Sequence, residues 1–277
     1  MCVTCGCGDP TAVRVRTPGM TAVDSHHPHD HDHPHSHDHP HSHDRPHSSD
    51  HPHDSDHAPA PPEATRTIDI EQELLAKNDS LAEDNRTWLA EHLIVAINLM
   101  SSPGSGKTTL LERTIREAGA GRTVCVIEGD QETLFDAERI RATGAAVVQI
   151  NTGAGCHLDA DMLRRGLASL DPPDGSLLLV ENVGNLVCPS LFDLGEAGKV
   201  VVISVTEGDD KPLKYPHMFA AADLIIINKT DLLPYVDFDV DRCQRDARSL
   251  NPGVQILPLS AKTGAGMDAW YEWLSGL

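Results

Sequence analysis

The chain has 277 residues, 39% hydrophobic and 4% aromatic, with a formal charge of −20 at pH 7 and a pI near 5.1. This supports one good-sized core plus a tail, because roughly the first sixty residues contribute almost nothing apolar. The acidity excludes a nucleic-acid binder, which needs clustered Lys and Arg, and suits a handler of cations.

No run of about eighteen apolar residues is present to span a bilayer, and the N-terminus lacks the apolar core of a secretory signal. A cytoplasmic location is therefore expected. Seven cysteines, an odd number without a secretory signature, read as ligands and core thiols rather than a disulfide framework.

In chain order, residues 1–8, MCVTCGCG, place Cys2, Cys5 and Cys7 beside glycines that let the backbone fold around one ion. Three sulfurs plus one nitrogen, such as the terminal amine, would satisfy square-planar Ni²⁺ or tetrahedral Zn²⁺. Residues 9–62 read as a disordered tail and hinge. Ser25 to His57 is almost entirely His, Asp, Pro and Ser, with alternating histidines from His29 to His43. That alternation offers no apolar face to bury. Its mostly neutral imidazoles suit a reservoir for Ni²⁺, Zn²⁺ or Cu²⁺.

Residues 63–277 read as the ordered domain, opening with a helical segment across 63–92 in which Ile70, Leu74, Leu81 and Trp88 share a helical spacing. Apolar runs at 93–99, 123–128, 146–150, 176–181, 200–205, 224–228 and 255–258 read as strands. Helices are expected at 107–118, 132–142, 159–169, 237–250 and 267–274, the first closed by Gly119 and Gly121. Continuous apolar strands alternating with helices predict an α/β fold, a doubly wound and mostly parallel sheet with ligands at the strands' carboxyl ends.

Between the first strand and its helix lies NLMSSPGSGKTT, residues 98–109. The N–H groups of Gly104, Ser105 and Gly106 can point at phosphate oxygens, with Lys107 on the β and γ phosphates and Thr108 on Mg²⁺ beside Thr109. Ser101 stands where the usual motif has its first glycine. Asn228, Lys229, Thr230 and Asp231 (NKTD) end another strand, and Asp231 can accept two hydrogen bonds from guanine, a donor pair that adenine lacks. Lys229 would lie along the ring, with Ser260, Ala261 and Lys262 closing its far side. Asp130 and Glu181 end two further strands and can hold Mg²⁺ or its waters and position the attacking water; Asp136 is a weaker candidate for Mg²⁺.

Cys156 and His157 follow a strand in a Gly-rich loop, and Cys188 follows Glu181 in another. Together they supply three ligands suited to Zn²⁺ or Ni²⁺, the fourth coming from water or a partner subunit. The spacing also allows buried thiols and a core histidine. Cys125 inside a strand, Cys243 on a helix, His92 and His217 read as structural.

The blocks MSSPGSGKTT, EGDQET, INTGAGCHLDA, ENVGNLVCP, NKTD and SAKTGAG, behind a CxxCxC terminus and a His-rich insert, resemble the hydrogenase nickel-incorporation GTPase family, HypB. The resemblance covers nearly the whole ordered domain, and Ser101 fits that family's own version of the loop. It implies a P-loop GTPase fold of the SIMIBI type and hydrolysis of GTP with Mg²⁺. It also implies Ni²⁺ or Zn²⁺ at Cys156, His157 and Cys188, at or near a homodimer interface coupled to GTP. Expected partners are other hydrogenase maturation proteins and the hydrogenase large subunit, which receives Ni²⁺. The competing readings are the sister GTPase that matures urease and a nickel store with the G domain as scaffold.

Overall fold

The computed structural model describes residues 14–16, 63–118, 121–131, 135–153 and 155–277. Cys2, Cys5, Cys7, the His-rich tract and Gly119 lie outside the described residues. Among those described, the strands form one eight-stranded sheet. In chain order they are β1 (Arg14–Arg16), β2 (Val95–Ser101), β3 (Val124–Asp130), β4 (Ala146–Asn151), β5 (Leu177–Gly184), β6 (Gly198–Ser204), β7 (Leu224–Asn228) and β8 (Gln255–Pro258). Their spatial order is β1-β4-β3-β5-β2-β6-β7-β8. Every pairing is parallel except β1 on β4.

The helices are α1 (Glu63–Glu91), α2 (Lys107–Ala118), α3 (Phe135–Arg141), α4 (Ala160–Leu170), α5 (Lys211–Lys214), α6 (Pro216–Ala220), α7 (Val240–Leu250) and α8 (Met267–Ser275). Alternate strand residues face opposite ways, so one face receives Ile97, Leu99, Val126, Leu179 and Val202 under α2, α3 and α8. The other face receives Ala96, Cys125, Ile127 and Val180 under α1 and α4, and Val201, Ile203, Ile225 and Ile227 under α6 and α7. Coverage of both faces is the reason these strands are apolar throughout rather than alternating. Trp270 on α8 is fully buried and donates its indole N–H to Thr114 on α2 at 2.8 Å, satisfying the ring's one polar atom.

The doubly wound, mostly parallel architecture expected from the sequence is present. Two details differ. Residues 14–16, read as part of a disordered tail, form β1, whose Val15 packs half-buried against the α1/α4 side of the core. One apolar residue in three was too weak a pattern to announce a strand. The helix expected from Glu132 is seen from Phe135, residues 132–134 lying outside the described set. No helix among the described residues is long and apolar enough to cross a membrane.

Central strand β2 is flanked by β5 and β6. The chain runs from β2 through α2 toward β3 on one side and later crosses to β6 on the other, so the reversal of strand order falls at the carboxyl end of β2. Ligands of open α/β sheets bind at that switch point.

Candidate functional site

The loop after β2 turns through Gly104 (φ +75) and Gly106 (φ +99) before α2 begins at Lys107. A side chain at Gly106 would place its Cβ 2.5 Å from Asn228 Nδ2. That glycine therefore answers both a left-handed backbone and a close approach. Asn228 donates to the Ser105 carbonyl at 2.9 Å. Its Oδ1 accepts from the N–H groups of Ala261 at 3.0 Å and Lys229 at 2.7 Å. One buried amide thus ties the Gly-rich loop to NKTD and to the Ser260–Lys262 segment.

Lys229 Nζ donates to the Gly104 carbonyl at 2.6 Å, and Ser260 Oγ donates to Asp231 Oδ1 at 2.6 Å, orienting that carboxylate. Arg113, from α2, donates to the carbonyls of Ala261 at 2.6 Å and Lys262 at 3.0 Å. Lys107 Nζ donates to Ser101 Oγ at 2.7 Å, which gives the serine in the first-glycine position a task. Ser102 Oγ bonds Glu207.

A cleft of about 540 Å³ lies in front of this loop, lined by Gly104 to Thr109, Glu128, Asp130, Asp136, Arg139, Glu181, Asn182 and Lys229, among others. Thr108 Oγ1 donates to Glu181 Oε1 at 2.8 Å, while Glu181 Oε2 is buried without a hydrogen-bond partner among the described residues. Burial pushes Glu181 above the ordinary carboxylate range, against the pull of Lys107 and the Thr108 hydroxyl. Beside it, Glu128 pairs across β3 and β5 with Glu181. Burial, then repulsion from Glu181, Asp130 and Asp136, pushes Glu128 up to about 9. An orphaned carboxylate oxygen, a hydroxyl and a cluster of acids held uncomfortably together fit a hard, oxygen-seeking cation such as Mg²⁺.

Asp136 lines the cleft with its carboxylate on Arg139, 3.1 Å away. Arg139 also donates to Glu112 at 2.7 Å and Thr109 Oγ1 at 3.2 Å. Neither Glu128 nor Arg139 was selected from the sequence. The signal for Glu128 was a carboxylate inside the apolar run VCVIEGD; Arg139 gave none.

The second cluster forms where the loops after β4 and β5 meet. Ligand atoms of Cys156, His157 and Cys188 all lie within 4.8 Å of one another. His157 is buried, its ring stacked on Phe192 at 3.9 Å between centroids. Burial, opposed by Asp159, lowers its pKa, so the imidazole is neutral and able to coordinate. Two thiols and a neutral imidazole are a donor set suited to Ni²⁺ or Zn²⁺. Cys125 and Cys243 are buried in the core, as their positions suggested.

Helix α1 clamps these loops with two buried asparagines. Asn78 accepts from the Ala160 N–H at 2.9 Å and donates to the Asp193 carbonyl at 2.8 Å. Asn85 donates to the carbonyls of Ala160 at 2.9 Å and Leu194 at 3.0 Å. Both therefore bridge the start of α4, just past His157, to the segment following Cys188. Gly195, at φ +88, sits so close that an added Cβ would lie 2.4 Å from the Ala82 carbonyl.

The two clusters are joined by short covalent and hydrogen-bonded paths. Strand β5 carries Glu181 in the cleft and leads directly to Cys188. Its next residue, Asn182, accepts from the Leu158 N–H at 3.0 Å, adjacent to His157. Asn182 then donates to Asn98 Oδ1 at 3.2 Å, and Asn98 donates to Glu196 Oε1 at 3.1 Å.

Fold and site together define a P-loop protein of the GTPase class, with a Cys-His-Cys cluster beside the nucleotide cleft. Residues 95–258 match the family described as CobW/HypB/UreG, nucleotide-binding domain. The hydrogenase maturation factor HypB of Azotobacter vinelandii is 58% identical over 210 residues, covering 76% of this chain and 69% of that protein. The crystal structure of HypB from Archaeoglobus fulgidus is 46% identical with a TM-score of 0.68, covering 73% of this chain and 98% of that one. That of HypB from Helicobacter pylori in complex with nickel is 40% identical with a TM-score of 0.68, covering 72% and 94%. The chain belongs to the CobW/HypB/UreG family and, within it, to the HypB hydrogenase maturation factors.

Proposed function

We propose that this chain is a GTP-hydrolysing metallochaperone that supplies Ni²⁺ during maturation of a nickel-containing hydrogenase. The observation carrying this reading is the junction of the two clusters through β5, with Glu181 at the cleft, Cys188 beyond it, and Asn182 holding the backbone next to His157. The nickel complex of the Helicobacter pylori relative supports nickel as the cargo. Zn²⁺ suits the same donors.

In this reading the N–H groups of Gly104, Ser105 and Gly106 cradle the phosphates. Lys107 exchanges the Ser101 hydroxyl for phosphate oxygens and stabilises charge as it develops there. Asp231, oriented by Ser260, reads guanine. Thr108, Asp130 and Glu181 would hold Mg²⁺, which when bound supplies neutralising charge to the phosphate oxygens; Asp136 stands by, engaged with Arg139. The carboxylates at the ends of β3 and β5 orient the attacking water.

Cys156, His157 and Cys188 hold the cargo, flanked by the exposed apolar side chains of Val187 and Leu191, which suit a GTP-promoted homodimer contact. Cys2, Cys5 and Cys7 form a further metal site. Other hydrogenase maturation proteins and the hydrogenase large subunit take the cargo onward in the cytoplasm. If nucleotide changes metal affinity, metal must change nucleotide affinity by the same factor.

The test is Ni²⁺ and Zn²⁺ titration of the wild type and of a Cys156→Ala, His157→Ala, Cys188→Ala triple variant, with GDP and with a non-hydrolysable GTP analogue. A metal affinity that differs between nucleotides in the wild type and vanishes in the triple variant is expected. Unchanged affinity across nucleotides, with maturation intact in a Lys107→Ala variant that no longer hydrolyses GTP, would favour a store over a machine.

A further inference from the structure

Asp231 offers a base only acceptors, which suits the N1–H and 2-amino group of guanine. Guanine also carries a carbonyl oxygen at position 6, where adenine carries an amino group, so a site that selects guanine needs a donor for that oxygen. The side-chain donors of Asn228, Lys229 and Ser260 are engaged already, on the Ser105 carbonyl, the Gly104 carbonyl and Asp231. The Ala261 N–H is engaged as well, by Asn228 Oδ1 at 3.0 Å. The next backbone donor along this segment is the N–H of Lys262, an exposed residue.

Its direction is set from α2. Arg113 donates through Nε to the Ala261 carbonyl at 2.6 Å and through Nη2 to the Lys262 carbonyl at 3.0 Å. In a trans peptide the carbonyl and the N–H that follows it point opposite ways. Holding the Ala261 carbonyl therefore turns the Lys262 N–H away from Arg113, and holding the Lys262 carbonyl fixes the other side of the same residue.

The guanidinium is itself locked. Its Nη1 donates to Glu117 at 2.6 Å, and Tyr271 on α8 donates to the same carboxylate at 2.7 Å. Gly264, at φ +89, leaves the arginine room, since an added Cβ there would lie 2.9 Å from Nη1. Three contacts in fixed directions suit a planar fork of donors and not the point charge of an ammonium.

We infer that Arg113 is a positioning residue for base selection, aiming the Lys262 N–H at the 6-carbonyl of a guanine nucleotide. The inference rests on the guanine reading proposed above and adds to it a residue outside the cleft, in the helix that opens with Lys107. Asp231 reads one part of the guanine edge, and Arg113, acting through a peptide it orients, governs the other.

The test compares GDP, 6-thio-GDP and ADP as competitors of a fluorescent GDP analogue on the full-length chain. The thio nucleotide keeps N1–H and the 2-amino group, but its sulfur is a weak acceptor. The wild type should bind GDP about tenfold more tightly than 6-thio-GDP, the worth of one net hydrogen bond, and ADP more weakly still. Arg113→Met keeps the apolar stem without the donors. It should weaken GDP about tenfold and 6-thio-GDP and ADP less than twofold, which erases the preference for oxygen over sulfur. At saturating GTP its hydrolysis rate should match the wild type while KM rises about tenfold.

Arg113→Lys retains charge and stem, carries the test where the methionine variant does not fold, and should weaken GDP about threefold in the same pattern. Equal losses for all three nucleotides, or a fall in kcat with KM unchanged, would make Arg113 a brace for α2 and overturn the inference. So would a GDP to 6-thio-GDP ratio that both variants leave intact. A wild type that binds ADP as tightly as GDP would refute the guanine reading itself, and the inference with it; a wild type that prefers GDP, with variants that keep the preference, refutes the inference alone.

Discussion

Gly106→Ala should uncouple the phosphate loop from the base-reading loop. At φ +99 an alanine pays the left-handed penalty, about 1–2 kcal/mol. Its Cβ would also lie 2.5 Å from Asn228 Nδ2, a contact that forces the amide away. Asn228 is buried and engaged by Ser105, Lys229 and Ala261, so its displacement disturbs three hydrogen bonds. At roughly 1 kcal/mol net each, that adds about 2–3 kcal/mol.

Gly104→Ala is the control, since Gly104 has φ +75 but no atom of the described residues within 4 Å of an added Cβ. It should pay the backbone cost alone. Displacement of a fluorescent GDP analogue should therefore show Gly106→Ala binding weaker than Gly104→Ala by roughly 30- to 150-fold. Equal losses in the two variants would refute the assignment of Asn228 as the tie between the loops.

Asn85→Ala strips a donor from the buried carbonyls of Ala160 and Leu194 and should cost about 1–3 kcal/mol. Chemical denaturation measures that loss, and the same variant should weaken Ni²⁺ binding at a site whose nearest ligand in sequence, Cys156, lies 71 positions away. Glu181→Ala should abolish GTP hydrolysis while GDP binding falls less than tenfold, as followed by phosphate release and by the GDP analogue. Burial pushes Cys125 upward, and burial together with Asp209, Asp246 and Asp239 pushes Cys243 up to about 12. Iodoacetamide at pH 8 should thus label Cys156 and Cys188 well before either core thiol, with bound Ni²⁺ protecting the first two; mass spectrometry of the digest reads the order.

Much of this was legible because the physics repeats. A strand covered on both faces must be apolar along its length, so all seven parallel strands announced themselves, and GSGKTT, NKTD and SAK fell at strand ends where their chemistry is possible. Cys156, His157 and Cys188 could be grouped because β4 and β5 lead their loops to the same edge.

What escaped was marked by polar residues whose partners are distant. Asn78 and Asn85 look like solvent-facing positions on a long helix until the segments that they bridge are seen. Glu128 sits among strand residues, and its proximity to Glu181 depends on which strands are neighbours. Strand β1 offered one apolar side chain, and only the edge of β4 gives it meaning.

The row from Leu158 through Asn182 and Asn98 to Glu196 has a direction. Each amide gives its protons one way, from a peptide N–H at one end to a carboxylate at the other. Turning over a single asparagine would set donor against donor or acceptor against acceptor in a place that water does not reach. The row is therefore an alignment of dipoles pinned in one sense by its two ends, since the Leu158 N–H can only donate and the Glu196 carboxylate accepts, and it holds the loop beside His157 in a single setting.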